Sequence, residues 1–364
     1  MAGILGLAVL LWGMALLAPG LRADDNGDTG SAPPARAVRL SYVDGEVHLY
    51  QGSQQLTDQA LANTPLFEGT RIDTGNDGRA EVQFEDGSTA RLSPQSSLTL
   101  TVLQGLSANA ERNAEIQLNS GLGYFELQGE SDSNHTKVRF GDTVVTAGGF
   151  TVLRINLDKA PGEVAVFSGN AHLEGGANPT LDLHGGESVA LNATDPNNYN
   201  LAETIEPDSW DTWNSDRDQD LSGAAAERTE ASAGQPDNQN PAWSDLDANG
   251  NWYNVPDQGY VWSPNEASNP GWDPYGNGYW MDTPSYGYMW VSGYPWGYLP
   301  YQCGAWNFYS SFGWGWAPGT CSPWWGGGGG WDSTSVLRLH GTASRCVRAG
   351  TIRGRWSTAP PPIR

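Results

Sequence analysis

Asp245, Asp247 and Asn249 occupy the first, third and fifth positions of a calcium-loop pattern, with Gly250 as the turn glycine at the sixth. The twelfth position, where a bidentate Glu would close the oxygen shell, is Pro256, so a polar turn is expected and no metal site is assigned. Gly186-Glu187-Ser188-Val189-Ala190 falls one residue short of a nucleophile elbow and lies in a strand pattern with no helix after it. The five histidines, at 48, 135, 172, 184 and 340, form neither HxH nor HExxH. Cys303 and Cys321 close a short loop and are the candidate disulfide of an exported chain, which leaves Cys346 as the odd thiol. No phosphate loop or dinucleotide fingerprint is present, and 41 acids are too many for their presence alone to single out a catalytic pair. No catalytic residue, metal ligand or cofactor is assigned, and a non-enzymatic role is expected.

The residues with the most chemical character are aromatic. Of 17 tryptophans, none lies between residues 24 and 209 and 13 lie between Trp243 and Trp331. There they follow a frame, G-x-W and then G-[YW]-x-W, that begins at Gly250, Gly278 and Gly304, at offsets of 28 and 26 residues. A shorter element, Gly271-Trp-Asp-Pro-Tyr275 and Gly297-Tyr-Leu-Pro-Tyr301, precedes the last two copies. Each copy reads as a β-hairpin with a first strand around Trp252, Trp280 or Trp306 and a turn ending at Gly259, Gly287 or Gly313. On the return strands Tyr260 and Trp262, Tyr288 and Trp290, and Trp314 and Trp316 are two apart and share a face. These six rings are the candidate site. They either pack the hairpins together and onto the rest of the chain, or form a platform on which the C–H faces of sugars stack.

Charge narrows the partners. The chain of 364 residues has 41 acids against 19 bases, a net charge of −22, and Trp243 to Trp331 holds six acids and no Lys or Arg. This balance argues against nucleic-acid binding through a basic surface, and an anionic membrane surface is disfavoured for the same reason. An envelope protein or a polysaccharide remains as the expected partner.

The elements that carry these residues are mostly strands. From Val38 to Ala193 short runs of alternating polar and apolar residues, such as Ala80 to Phe84, Thr89 to Leu92 and Ser97 to Val102, are separated by glycine turns such as Asn76-Asp77-Gly78 and Glu85-Asp86-Gly87. The pattern predicts half-buried strands of an antiparallel β-sandwich or roll. Val38 to Val47 (VRLSYVDGEV) and Pro65 to Pro94 (PLFEGTRIDTGNDGRAEVQFEDGSTARLSP) closely resemble the FecR domain, and Gly162 to Leu173 and Gly186 to Leu191 fit its second half. The resemblance implies a bacterial extracytoplasmic β domain over residues 38–193. In iron-uptake signalling, FecR proteins relay a transporter's state to a cytoplasmic sigma factor. That transmembrane relay is disfavoured here, because only Met1 to Gly3 precede the apolar run where sigma-binding helices belong.

The remaining segments frame these two regions. Residues 1–23 read as a signal peptide, with an apolar run from Ile4 to Leu17 and a cut after Ala23; an uncleaved inner-membrane anchor facing the periplasm is the alternative, and the only expected membrane contact. Residues 206–221 predict a short helix with Trp210 and Trp213 on one face, and residues 222–241 a flexible linker. The hairpin region spans 243–331. Residues 332–364 read as a disordered basic tail, six Arg and no acid from Val336 onward, or as the product of a frame slip. The whole is expected to be a mainly β, periplasmic or secreted interaction module.

Overall fold

The computed structural model describes residues 36–105, 111–131, 134–159, 162–175, 180–191, 199–235, 238–283 and 287–321. The signal or anchor segment and the basic tail, with Cys346, lie outside these residues.

Alternating side chains fold residues 38–202 into two nine-stranded sheets. The first runs Thr64–Leu66, Val38–Asp44, Arg79–Phe84, Thr89–Leu92, Leu122–Leu127, Thr151–Asn156, Glu163–Ser168, Glu187–Ala190 and Asn200–Ala202. The second runs Gln54–Thr57, Val47–Gln51, Thr70–Thr74, Ser97–Gln104, Arg112–Ser120, Asn134–Phe140, Thr143–Ala147, Asn170–Glu174 and Leu181–His184. Their facing sides share one core, with Leu40, Val82, Phe84 and Phe125 from the first sheet and Leu49, Ile72, Leu100 and Ile116 from the second. The mainly β sandwich expected from the alternation is present. One pair departs from the antiparallel rule: Asn134–Phe140 runs parallel to Arg112–Ser120, because the intervening strand, Leu122–Leu127, crosses to the other sheet.

The middle of the first sheet is buried on both faces, which alternation alone does not reveal. Its outward residues are polar, yet Glu81, Gln83, Arg91 and Arg154 are all buried, beneath segments that come much later in the chain. Helix α1, Ser209–Ala226, is one of these covers. It starts where the sequence indicates, on a capping box in which the Asp208 side chain accepts from the backbone N–H groups of Trp210 and Asp211 and Asp211 reaches back. It is longer than the short helix expected over 206–221, since Ala224 to Ala226 are strong helix formers and propagate it.

The linker reading of 222–241 is likewise corrected. After α1 comes a single helical turn, α2, Glu230–Ala233, capped by Thr229. Helix α3, Ala242–Asn249, follows and replaces the polar turn expected at Asp245. Pro241 is its N-cap, and the side-chain oxygen of the preceding Asn240 accepts from the Ala242 N–H at 3.0 Å, an Asx turn that leads into the helix. Among the described residues no helix is long and apolar enough to cross a membrane.

The three repeats form three hairpins, Gly250–Val255 with Gly259–Pro264, Gly278–Thr283 with Gly287–Ser292, and Cys303–Tyr309 with Gly313–Cys321. Gly259, Gly287 and Gly313, at φ 81°, 70° and 84°, supply the left-handed position each turn requires. The first and third hairpins join through Trp262 opposite Trp316 into one four-stranded sheet, while the second stands as a two-stranded sheet. A second core, rich in Trp and Tyr, unites them with α3 and with Ala37 and Phe67 of the sandwich.

Candidate functional site

The charged groups of the first sheet's outer face are arranged for holding segments together. Arg91, fully buried, sits between Glu81 at 2.8 Å and Glu126 at 2.9 Å and reaches Asp218 of α1 at 2.6 Å. Arg217 of α1 donates to the other Glu81 oxygen at 2.8 Å, and Arg154 pairs with Asp211 at 2.5 Å. Spacings of three and seven residues put Asp211, Asn214 and Asp218 on one side of α1. Its sheet-facing side is therefore polar, apart from Trp210, which stacks on Trp213 at 4.5 Å. Farther along the face, Arg39 pairs with Asp245 of α3 at 2.5 Å and Asn63 donates to the Tyr294 carbonyl at 2.8 Å.

Burial favours the neutral form of both Glu81 and Glu126, but the net shifts are opposite. It pushes Glu81 toward the neutral form, but the hydrogen bond from Arg217 and the charges of Arg217 and Arg91 outweigh it and hold the carboxyl below its usual value. Glu126 goes the other way. Burial, reinforced by a hydrogen bond with Asp218, raises it to about 8 against the pull of Arg91.

The acids that resembled a calcium loop are engaged by the protein. Asp245 binds Arg39, and Asp247 accepts from Thr229 Oγ1 at 2.7 Å and from Trp252 Nε1 at 2.8 Å. Both lie on a helix, whose geometry cannot wrap a cation as a loop does. Ser188 sits in a strand and donates to the Thr204 carbonyl at 3.3 Å.

The glycine that opens each repeat has a structural reason which the frame alone does not disclose. The indole of the return-strand tryptophan lies over it. A Cβ at Gly250 would stand 2.6 Å from the Trp262 ring, and one at Gly278 or Gly304 would stand 2.7 Å from Trp290 or Trp316. The G-x-W frame is thus a seat for a cross-strand tryptophan.

The structure separates the six candidate rings. Trp262 and Trp316 are fully buried, and their indole N–H groups donate to the carbonyls of Leu246 and Cys303 at 2.8 and 2.7 Å. As platform residues they are corrected, since pairing of the first and third hairpins encloses them. Trp290 and Trp314 are half-buried, Trp314 meeting Phe308 edge-on at 5.7 Å. Tyr260 is exposed and sits edge-on to Trp252, and Tyr288 is 70% exposed. Cys303 is disulfide-bonded, and the strand register sets Cys321 opposite it.

Two further rings border the exposed face of the second hairpin, Trp280 exposed and Tyr275 half-buried. Trp280, directly across from Trp290, is 55% exposed, and Tyr275 lies parallel to it at 6.3 Å. Trp280 is visible in the frame as a first-strand residue; it stays outside while Trp252 and Trp306 pack inward, and among the described residues its hairpin pairs with no other. The opposite face of the same hairpin, Met281, Met289 and Val291, is buried in the second core.

Comparison with known proteins agrees with this two-part architecture. Residues 70–172 match the FecR protein family, and residues 243–335 match a family of unknown function, DUF6600. The chain thus carries a FecR domain followed by a second family region that coincides with the hairpins. Two crystal structures of a "putative anti-sigma factor" from Parabacteroides distasonis ATCC 8503, at 1.65 and 2.50 Å resolution, are similar at 15% and 13% identity with TM-scores of 0.30 and 0.31. Each similarity takes in 37% of this chain and 59% of the other. No curated protein matches the sequence.

Proposed function

We propose that this is an exported, non-enzymatic interaction module of the bacterial envelope or its exterior, in which the FecR domain is the rigid base and the hairpin region presents the contact surface. The observation that carries this reading is where apolar surface remains exposed. Of the seven large apolar side chains exposed among the described residues, Tyr253, Tyr260, Trp280, Tyr288 and Phe308 lie on the hairpins, and only Phe150 and Leu201 lie on the sandwich. Buried Arg39, Glu81, Arg91 and Arg154, in contrast, are engaged in ion pairs that attach α1 and α3. The FecR family is associated with the envelope, and the apolar run from Ile4 to Leu17 supplies an export route.

Fractionation, terminal sequencing and photocrosslinking of the full chain in producing cells test this. The expected result is a periplasmic or extracellular chain beginning at Asp24, with a crosslinker at position 288 capturing an envelope component that one at Asn119, on the second sheet, does not. A chain confined to the cytoplasmic fraction would overturn it.

A further inference from the structure

We infer that the outward face of the second hairpin, formed by Tyr275, Trp280, Tyr288 and Asp282, binds an uncharged glycan. The inference rests on the interaction-module reading and names the ligand class for that surface.

Exposure of the first-strand tryptophan is specific to the second repeat. Trp252 and Trp262, Trp280 and Trp290, and Trp306 and Trp316 are equivalent cross-strand pairs. Five of these six rings lie in or pack against the second core, whereas Trp280 remains 55% exposed, and Tyr288 beside it is, among the described residues, the most exposed ring of the hairpins. Leaving rings of this size uncovered forgoes on the order of 1.5–3 kcal/mol each, so something should cover them in the functional state.

Trp280 and Tyr275 are packed in place before any ligand arrives. Trp280 is perpendicular to Trp290 at 5.4 Å and parallel to Tyr275, while Tyr275 stands edge-on to the buried Tyr301 at 5.5 Å. Tyr301 is fixed in turn by a hydrogen bond from its hydroxyl to the Pro274 carbonyl. A ring already held in place loses little conformational freedom on binding.

The chemistry around the rings selects the ligand. Asp282 is exposed directly opposite Tyr288 in the strand register, and two residues from Trp280, so its acceptor oxygens share the face with both rings. A pyranose offers the complement, a C–H face for an aromatic plane and hydroxyl donors for a carboxylate. Lys and Arg are absent from Trp243 to Trp331, so a polyanionic glycan would meet repulsion and no counter-charge.

Affinity electrophoresis of the full chain tests the inference, with soluble glucan, mannan and xylan as uncharged probes and alginate as the anionic one. At least one uncharged probe is expected to retard the chain. Trp280→Ala and Tyr288→Ala should each weaken retardation about tenfold, roughly the loss of one ring contact, with circular dichroism unchanged. Phe308→Ala, which removes an exposed ring on the third hairpin, should leave it intact, and Trp280→Tyr should retain most of it.

Retardation by alginate alone, or equal retardation of the parent, Trp280→Ala and Tyr288→Ala chains, would overturn the glycan assignment. So would no retardation by any uncharged probe. In that last case a protein crosslinked at position 288 leaves the interaction-module reading standing, and capture of nothing removes both.

Discussion

Glu81 is a buried carboxylate between two guanidinium groups, and such a group is more informative when it is removed than when it is counted. Taking charges out of water is costly, and the pair with Arg91 repays that cost only while both partners are present. Glu81→Gln is therefore expected to destabilise the chain by roughly 3–5 kcal/mol, read from the denaturant midpoint, because Arg91 and Arg217 lose the negative charge between them. Glu126 gives a prediction about pH. Its folded-state value of about 8 lies above that of the unfolded carboxyl, so between the ordinary carboxyl range and pH 8 the folded chain holds a proton that the unfolded chain has released. Stability from this group is fully present in acid and is lost as pH rises toward 8, with a limiting slope of about 1.4 kcal/mol per pH unit. Glu126→Gln, which stays neutral, should flatten thermal stability between pH 5.5 and 8 relative to the parent. An unchanged slope would place the proton elsewhere in the Arg91, Asp218, Glu81 and Tyr124 cluster.

At the scale of the hairpin, glycines of two kinds make separable predictions. Gly287 has φ +70° and open space around a built Cβ, so Gly287→Ala should cost only about 1–2 kcal/mol, the penalty of a left-handed L-residue. Gly304 has φ +67°, but a Cβ there would stand 2.2 Å from the Ala317 carbonyl oxygen and 2.7 Å from the Trp316 indole. Gly304→Ala should therefore lower the melting temperature markedly more than Gly287→Ala, and equal shifts would show that the indole seat yields easily. The hairpins themselves were legible, since the repeat frame and turn glycines fix strand, turn and return within a few residues of one another. Their exposure was not. Equivalent positions 262 and 290 differ because one return strand pairs with a hairpin some 50 residues later and the other does not, a non-local choice that no local spacing encodes. The same holds for the strand Arg79–Phe84, where alternation revealed two faces correctly but not that the polar one lies under α1, whose Arg217 is 136 residues from Glu81. Helix α1 was underestimated for a related reason, because its inward face is built from Asp211, Asn214 and Asp218 and carries no apolar periodicity.

For the whole molecule, the hairpin region and the sandwich depend on one another through the sheet edges. Gln54–Thr57 ends the second sheet and Thr64–Leu66 ends the first, so both present unpaired backbone groups on the same side of the sandwich. The first strand of the second hairpin lies against Gln54–Thr57 and its return strand against Thr64–Leu66. Met281, Met289 and Val291 share a buried core with Phe67. Asn63 and Arg39 fasten the same contact to Tyr294 and Asp245. The second hairpin thus covers two open edges with its inner face while holding Trp280 and Tyr288 outward. A chain ended after Asn249 keeps α1 to α3 and every strand of the sandwich but loses the cover. It is expected to self-associate with rising concentration in light scattering, through edge pairing and the uncovered Phe67, under conditions where the full chain does not. Lys substitution at Leu56, on the Gln54–Thr57 edge and partly buried beneath the cover, should suppress that association in the shortened chain. A shortened chain that stays monodisperse without the substitution would mean that Pro65 and the brevity of these strands protect the edges unaided, and that the hairpin region is held on the sandwich for the surface it presents.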